Sequence, residues 1–191
     1  MKAGLQYDTT AKAFHWLIVA LLIAQYSIGW LMPDIHGHMR PGAAMIWHIS
    51  IGTTILALML LRLVWRLLHP VTSESSLPAY QRIASRAVHW LLYVLVLLTT
   101  FSGWLFASAR GWQIPWFFLR PLPMLTGADP PLLRAIDGWH QVFEWTLLGI
   151  IGVHVSAALL HVFYYQDGVM RRMLPRQWVH GAGIKPLTLR S

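Results

Sequence analysis

The sequence predicts an all-α fold: an integral membrane four-helix bundle with up-down topology and both termini in the cytoplasm. Three observations carry that expectation. The chain is 56% hydrophobic and only 12% charged, well outside the composition of a soluble domain. Its apolar residues gather into four runs, each long enough to cross about 30 Å of hydrocarbon at about 1.5 Å per residue. Pro33, Pro41, Pro70, Pro78, Pro115, Pro130 and Pro131 fall between those runs, where helix breakers belong. A single transmembrane domain is therefore expected over all 191 residues.

The spans are read in order as 13–32, 43–66, 83–107 and 133–165. The first is "AFHWLIVALLIAQYSIGWLM". Its apolar run starts too late and runs too long for a cleavable signal peptide. The second is "AAMIWHISIGTTILALMLLRLVWR" and the third "IASRAVHWLLYVLVLLTTFSGWLFA". The fourth contains "WHQVFEWTLLGIIGVHVSAALLH", from Trp139 to His161. Between the last two, residues 108–131 are rich in Trp, Phe and Pro and too broken to span, which predicts an interfacial lid over the bundle.

Direction follows from the cations. An inside N-terminus places Lys2, Lys12, Arg62, Arg66, Arg82, Arg86, Arg171, Arg172, Arg176, Lys185 and Arg190 on the cytoplasmic side. Only Arg40, Arg110, Arg120 and Arg134 fall outside. Eleven against four sets the orientation. The net charge of +8 is then a topology signal, and no nucleic-acid partner is expected. Residues 166–191 form a basic cytoplasmic tail that reads as an anchor on anionic lipid.

Histidine is costly in hydrocarbon and usually faces a cavity or a functional partner. With direction fixed, depth follows from helical rise. His48 and His140 fall in an outer layer; His15, His89, His154 and His161 fall in an inner one. His140 and His154 are 14 residues apart, about 21 Å along the axis and within roughly 40° of one face. The chain also repeats itself. "HW" at 15–16 precedes "GW" at 29–30, and "HW" at 89–90 precedes "GW" at 103–104. "WH" recurs at 47–48 and 139–140, and Arg62 and His154 stand at the same offset beyond those histidines.

The absence of cysteine excludes disulfides, thiolate metal sites and covalent haem attachment. Imidazoles paired across a bundle suit bis-histidine haem, which favours electron transfer over oxygen binding. Zinc would need three or four ligands on one level. Two layers suit two haems relaying electrons across the membrane. Gly29, Gly52 and Gly103 sit on the histidine-bearing faces, where glycine would give a flat macrocycle clearance or simply permit close helix packing.

The segments "AFHWLIVALLI", "WHISIG…LLRLVWRLLHP", "HWLLYVLVLLTTFSGWL" and "WHQVFEW…GVHVSAALLHVFYYQDGVMRRMLP" together resemble the bacterial cytochrome b561 family, over about residues 8–176. The resemblance implies a four-helix inner-membrane protein with two b-type haems. It implies His15 and His154 as ligands of an inner haem iron, and His48 and His140 as ligands of an outer one. It also implies transfer of electrons from superoxide outside to ubiquinone. His89 and His161 are left as hydrogen-bonded or interfacial residues, or as second-shell or quinone-contacting ones. Arg62, at inner-layer depth, is expected to pair with a haem propionate. Glu144, one turn deeper than His140, is read as a proton carrier for quinone reduction or as a plain interhelical contact. His36 and His38, in "DIHGHMRPG", read as loop residues rather than a metal site.

Two other functions remain open on the sequence. One is a b-type cytochrome subunit that accepts electrons from a partner dehydrogenase or hydrogenase. The other is a non-redox membrane protein whose histidines make interhelical hydrogen bonds. Homo-oligomerisation is likewise open.

Overall fold

The computed structural model describes residues 8–33, 40–70, 78–166 and 173. His36, His38, His180 and nearly all of the basic tail lie outside the described residues. Five helices and a two-stranded hairpin follow in order: α1 (Thr9–Leu31), α2 (Ala43–Leu68), α3 (Ala79–Ala109), β1 (Pro115–Trp116), β2 (Arg120–Pro121), α4 (Pro130–Ile136) and α5 (Trp139–Phe163). Four helical stretches are long and apolar enough to cross a membrane.

The first three long helices each outrun the apolar stretch that predicts them, because capping is local chemistry. Asp8 opens α1 four residues before the apolar run, its carboxylate accepting from the Ala11 amide at 2.6 Å. The same carboxylate accepts from Trp65 Nε1 at 3.0 Å, tying the start of α1 to the end of α2. The Ala11 amide bond leads in holding the Asp8 carboxyl below its ordinary range. Pro78 precedes α3 as its cap, and α2 runs on to His69, whose amide bonds the Trp65 carbonyl.

The fourth span departs most from expectation. The reading of one helix over 133–165 is corrected to a short α4 and a long α5, broken at Asp137–Gly138. Gly138 adopts a left-handed conformation (φ 80°), which ends the first helix without a Cβ clash. Asp129 caps α4 by accepting from the Leu132 amide at 3.0 Å.

Neighbours in sequence pack as neighbours in space: α1 on α2, α2 on α3, and α3 on α5. The core is a stripe of Ile18, Ile51, Ile55, Val96 and Leu147 with Tyr93. Ile55 and Leu147 are fully enclosed. Large apolar side chains point outward, among them Leu31 (85% exposed), Leu68 (70%) and Phe163 (73%). Exposure on that scale marks a surface covered by something apolar, and in helices of this length that is lipid.

The segment after α3 is ordered and is bonded to α2, with Phe117 packed against the core. The Phe117 amide donates to Ser50 Oγ at 2.9 Å, and Phe117 packs edge-on against Trp47 at 5.4 Å. Ser50 lies two residues beyond His48, about 200° around the helix at 3.6 residues per turn. The hairpin therefore braces α2. Phe117 and Phe118 hold positive φ angles (46° and 62°), a strained backbone for aromatic residues.

Candidate functional site

One histidine from α1, one from α2 and two from α5 make the candidate site. The rings of His15 and His154 face each other with centroids 6.4 Å apart and planes at 79°. The rings of His48 and His140 do the same at 6.3 Å and 80°. Imidazoles clamping one metal from opposite sides, with bonds of about 2 Å and centroids about 1.1 Å behind each ligating nitrogen, stand about 6.3 Å apart. Both pairs meet that requirement. His89 also reaches His154, but at 5.3 Å, which is too short for a linear clamp. Among the described residues no group of three or more His, Cys, Asp or Glu side chains could hold a metal ion. The arrangement is two by two, and the donor set fits haem rather than zinc.

The surroundings of the outer pair specify ring chemistry. Ser102 Oγ lies 3.1 Å from His140 Nδ1 and donates its only proton to the Thr99 carbonyl at 2.9 Å. With the Ser102 proton on the Thr99 carbonyl, the hydroxyl accepts from His140 Nδ1–H, and the Nε2 lone pair is then free. That tautomer is ready to ligate. On the facing ring, His48 Nδ1 is buried without a hydrogen bond, as is Oε1 of nearby Gln25. Unpaired polar atoms in an interior are rare.

Two of the glycines expected near the histidines lie against imidazole rings. A Cβ on Gly103 would meet His140 Cε1 at 2.9 Å, and one on Gly29 would meet His48 Cε1 at 3.5 Å. Gly103 makes room for the His140 ring, whereas the contact at Gly29 is of ordinary length. Gly52 instead faces Gln25, whose Nε2 would lie 3.3 Å from an added Cβ.

At the inner pair the neighbours are cationic. Arg62 Nη1 lies 3.1 Å from His15 Nδ1, and Arg62 Nε donates to the Tyr93 hydroxyl at 3.1 Å. Tyr93 is buried. Arg66 stacks its guanidinium over Tyr93 (5.7 Å) and Trp90 (5.8 Å), rather than only reaching toward the surface. His89 Nδ1 hydrogen bonds the Ser85 carbonyl at 2.6 Å.

The remaining predicted residues are dispersed. The Glu144 main-chain carbonyl accepts from the Tyr26 hydroxyl at 2.9 Å, a bond that links α1 to α5; its half-buried side chain lies one turn inward of His140. His161 packs on Tyr165 with centroids 5.3 Å apart. Ser102, Tyr93 and Thr99 were not anticipated. Ser102 stands beside Gly103 in "FSGW" and Tyr93 one turn after His89 in "HWLLY", but neither spacing names a partner across the bundle.

Residues 6–176 match the family described as "Prokaryotic cytochrome b561". The chain is 29% identical over 180 residues to "Cytochrome b561 homolog 2" of Escherichia coli (strain K12), covering 88% of this chain and 91% of that one. It is 28% identical over 177 residues to "Probable superoxide oxidase CybB" of Yersinia pestis, covering 90% and 97%. It is 24% identical over 183 residues to "Cytochrome b561 homolog 1" of Escherichia coli (strain K12), covering 90% and 98%.

Proposed function

The chain belongs to the prokaryotic cytochrome b561 family of multi-pass inner-membrane electron-transfer proteins, and on that premise we propose that it carries two b-type haems and passes electrons from superoxide to ubiquinone. His15 and His154 hold the inner haem iron; His48 and His140 hold the outer one. The observation that carries this reading is the pair of ring separations, 6.4 and 6.3 Å. The name of the Yersinia pestis relative supports superoxide as the donor.

A b-type haem held by His15 and His154, and another held by His48 and His140, would supply one-electron transfer rather than oxygen binding. The chain's own residues do the rest. Ser102 fixes the His140 tautomer. Gly103 and Gly29 let the two outer rings lie against α3 and α1. The spacing of His140 and His154 on one helix separates the layers by about 21 Å. The apolar core between them keeps water from the path. Arg62 is placed to bond a carboxylate of the inner haem, since a guanidinium matches a carboxylate in two-point geometry. Glu144 holds a proton for quinone reduction, and His89 or His161 contacts the quinone or orders the inner ligands. Both termini are cytoplasmic, so electrons enter outside and leave within the membrane.

The test is reduction of the purified protein by enzymatically generated superoxide, with quinol formation followed at the same time. Reduction with quinol appearing is expected. If only a co-purified dehydrogenase reduces the protein, superoxide is not its donor.

A further inference from the structure

We propose that His89 is the hydrogen-bond acceptor that fixes the inner ligand His154: its Nε2 takes the His154 Nδ1 hydrogen and leaves the His154 Nε2 lone pair for the inner iron. The inference deepens the two-haem reading above and rests on it. It makes His89 a positioning residue that acts through His154.

The tautomer of His89 is set by its own helix. Nδ1 stands 2.6 Å from the Ser85 carbonyl, one turn back on α3, and a carbonyl can only accept. Nδ1 therefore carries the hydrogen. The guanidiniums of Arg62 and Arg66 converge on Tyr93, one turn further along the same helix. A third positive charge beside them is disfavoured in an apolar interior, which leaves the His89 ring neutral. A neutral imidazole with its hydrogen on Nδ1 keeps a lone pair on Nε2, and that lone pair can accept.

His154 needs such a partner. A histidine that binds metal through one ring nitrogen almost always donates the hydrogen of the other, and the acceptor sets its tautomer and orientation. Among the described residues the His154 ring meets two others. That of His15 stands at clamp distance, 6.4 Å. That of His89 is closer, at 5.3 Å with planes at 75°. Two imidazoles joined by an N–H···N bond of about 2.9 Å, each nitrogen about 1.1 Å from its ring centre, stand about 5.1 Å apart. The separation that is too short for a metal clamp thus suits a hydrogen bond. The outer ligand His140 has its own neighbour on α3, the Ser102 hydroxyl at 3.1 Å. His89 fills the corresponding place one tier further in, so that α3 supplies the acceptor for both ligands of α5.

The experiment is a potentiometric titration of the purified, haem-loaded protein by visible spectroscopy. The wave missing from His154→Ala identifies the inner haem. An accepting partner makes an imidazole a better electron donor to its metal, which favours the ferric state. His89→Leu should therefore keep two haems and raise the inner wave by a tenfold change in ferrous-to-ferric ratio at fixed potential, about 59 mV for one electron. The outer wave should stay in place. His89→Gln, whose carboxamide oxygen reaches about as far as Nε2 and can accept, should return the inner wave toward that of the parent. An inner wave unmoved in His89→Leu, or moved equally in both variants, overturns the proposal. If His89→Leu loses the inner haem, haem content carries the same test: His89→Gln should retain it, and loss from both overturns the proposal. A parent protein that binds fewer than two haems overturns the two-haem reading instead, and a pyridine haemochrome count separates the two failures.

Discussion

Gly103 of α3 lies so close to the ring of His140 on α5 that a Cβ would come within 2.9 Å of Cε1 and 3.2 Å of Nδ1. The atoms in the way belong to a short ring on a helix, packed among neighbours, and cannot swing aside like the end of a long side chain. Gly103→Ala should therefore displace His140 and reduce outer haem content severalfold, with the inner spectrum retained. Gly29→Ala meets His48 at 3.5 Å, an ordinary contact, and should keep both haems. Haemochrome counts on the two variants check the contrast; equal loss in both would contradict it.

The ring separations discriminate between histidines at one depth. His154→Ala should lose the inner haem and leave the outer spectrum largely intact. His89→Ala should keep two haems per chain, because its ring stands 5.3 Å from His154 where a clamp needs about 6.3 Å. Loss of a haem in His89→Ala would move the inner ligand assignment to that residue.

Ring planes at 79° and 80° set the two imidazoles of each pair nearly perpendicular. Crossed imidazoles leave the iron orbitals nearly degenerate, so both haems should give low-spin electron paramagnetic resonance signals with a single large g value. Two rhombic signals of the parallel-ring kind would show that the rings rotate from these orientations.

Glu144 and Tyr26 separate a proton role from a structural one. Glu144→Gln should slow quinol formation and leave haem content unchanged, since an amide cannot carry the proton. Tyr26→Phe deletes the bond to the Glu144 main-chain carbonyl and should cost about 1 kcal/mol of stability without slowing turnover. Equal turnover in Glu144→Gln and the parent would dismiss the proton role.

Asp8 gives a pH dependence outside the membrane-spanning helices. Its folded carboxyl titrates below the ordinary value, led by the Ala11 amide bond and aided by Trp65. The folded state therefore prefers the charged form. The stabilisation is complete above the unfolded value of about 3.9 and is lost as pH falls through the lower folded value. Asp8→Ala should cost about 1 kcal/mol at neutral pH, as expected for removal of an N-cap. That difference should vanish in strong acid. Thermal melts of both proteins at neutral and acid pH measure it.

Much of the site was legible before any coordinates. Helical rise is constant, so His140 and His154 had to fall in separate layers on one face, and antiparallel spans then put His48 beside the first and His15 beside the second. The pairing itself was less legible: depth alone left His89 and His161 level with His15. The interruption at Gly138 was hidden because apolar composition continues across it, while Ser102 and Tyr93 matter only through partners on other helices.

The amino-acid order alone determined four apolar spans and two tiers of histidine, because length, hydropathy and rise are properties of a single helix. Tertiary structure decided which rings meet, that Gly29 and Gly103 face imidazole, and that one tier is set against hydroxyl and carbonyl oxygen and the other against guanidinium. Those outcomes depend on how each helix is rotated and set beside its neighbours. That rotation is fixed by packing across the bundle, around Ile55, Val96 and Leu147, and by no periodicity within one span.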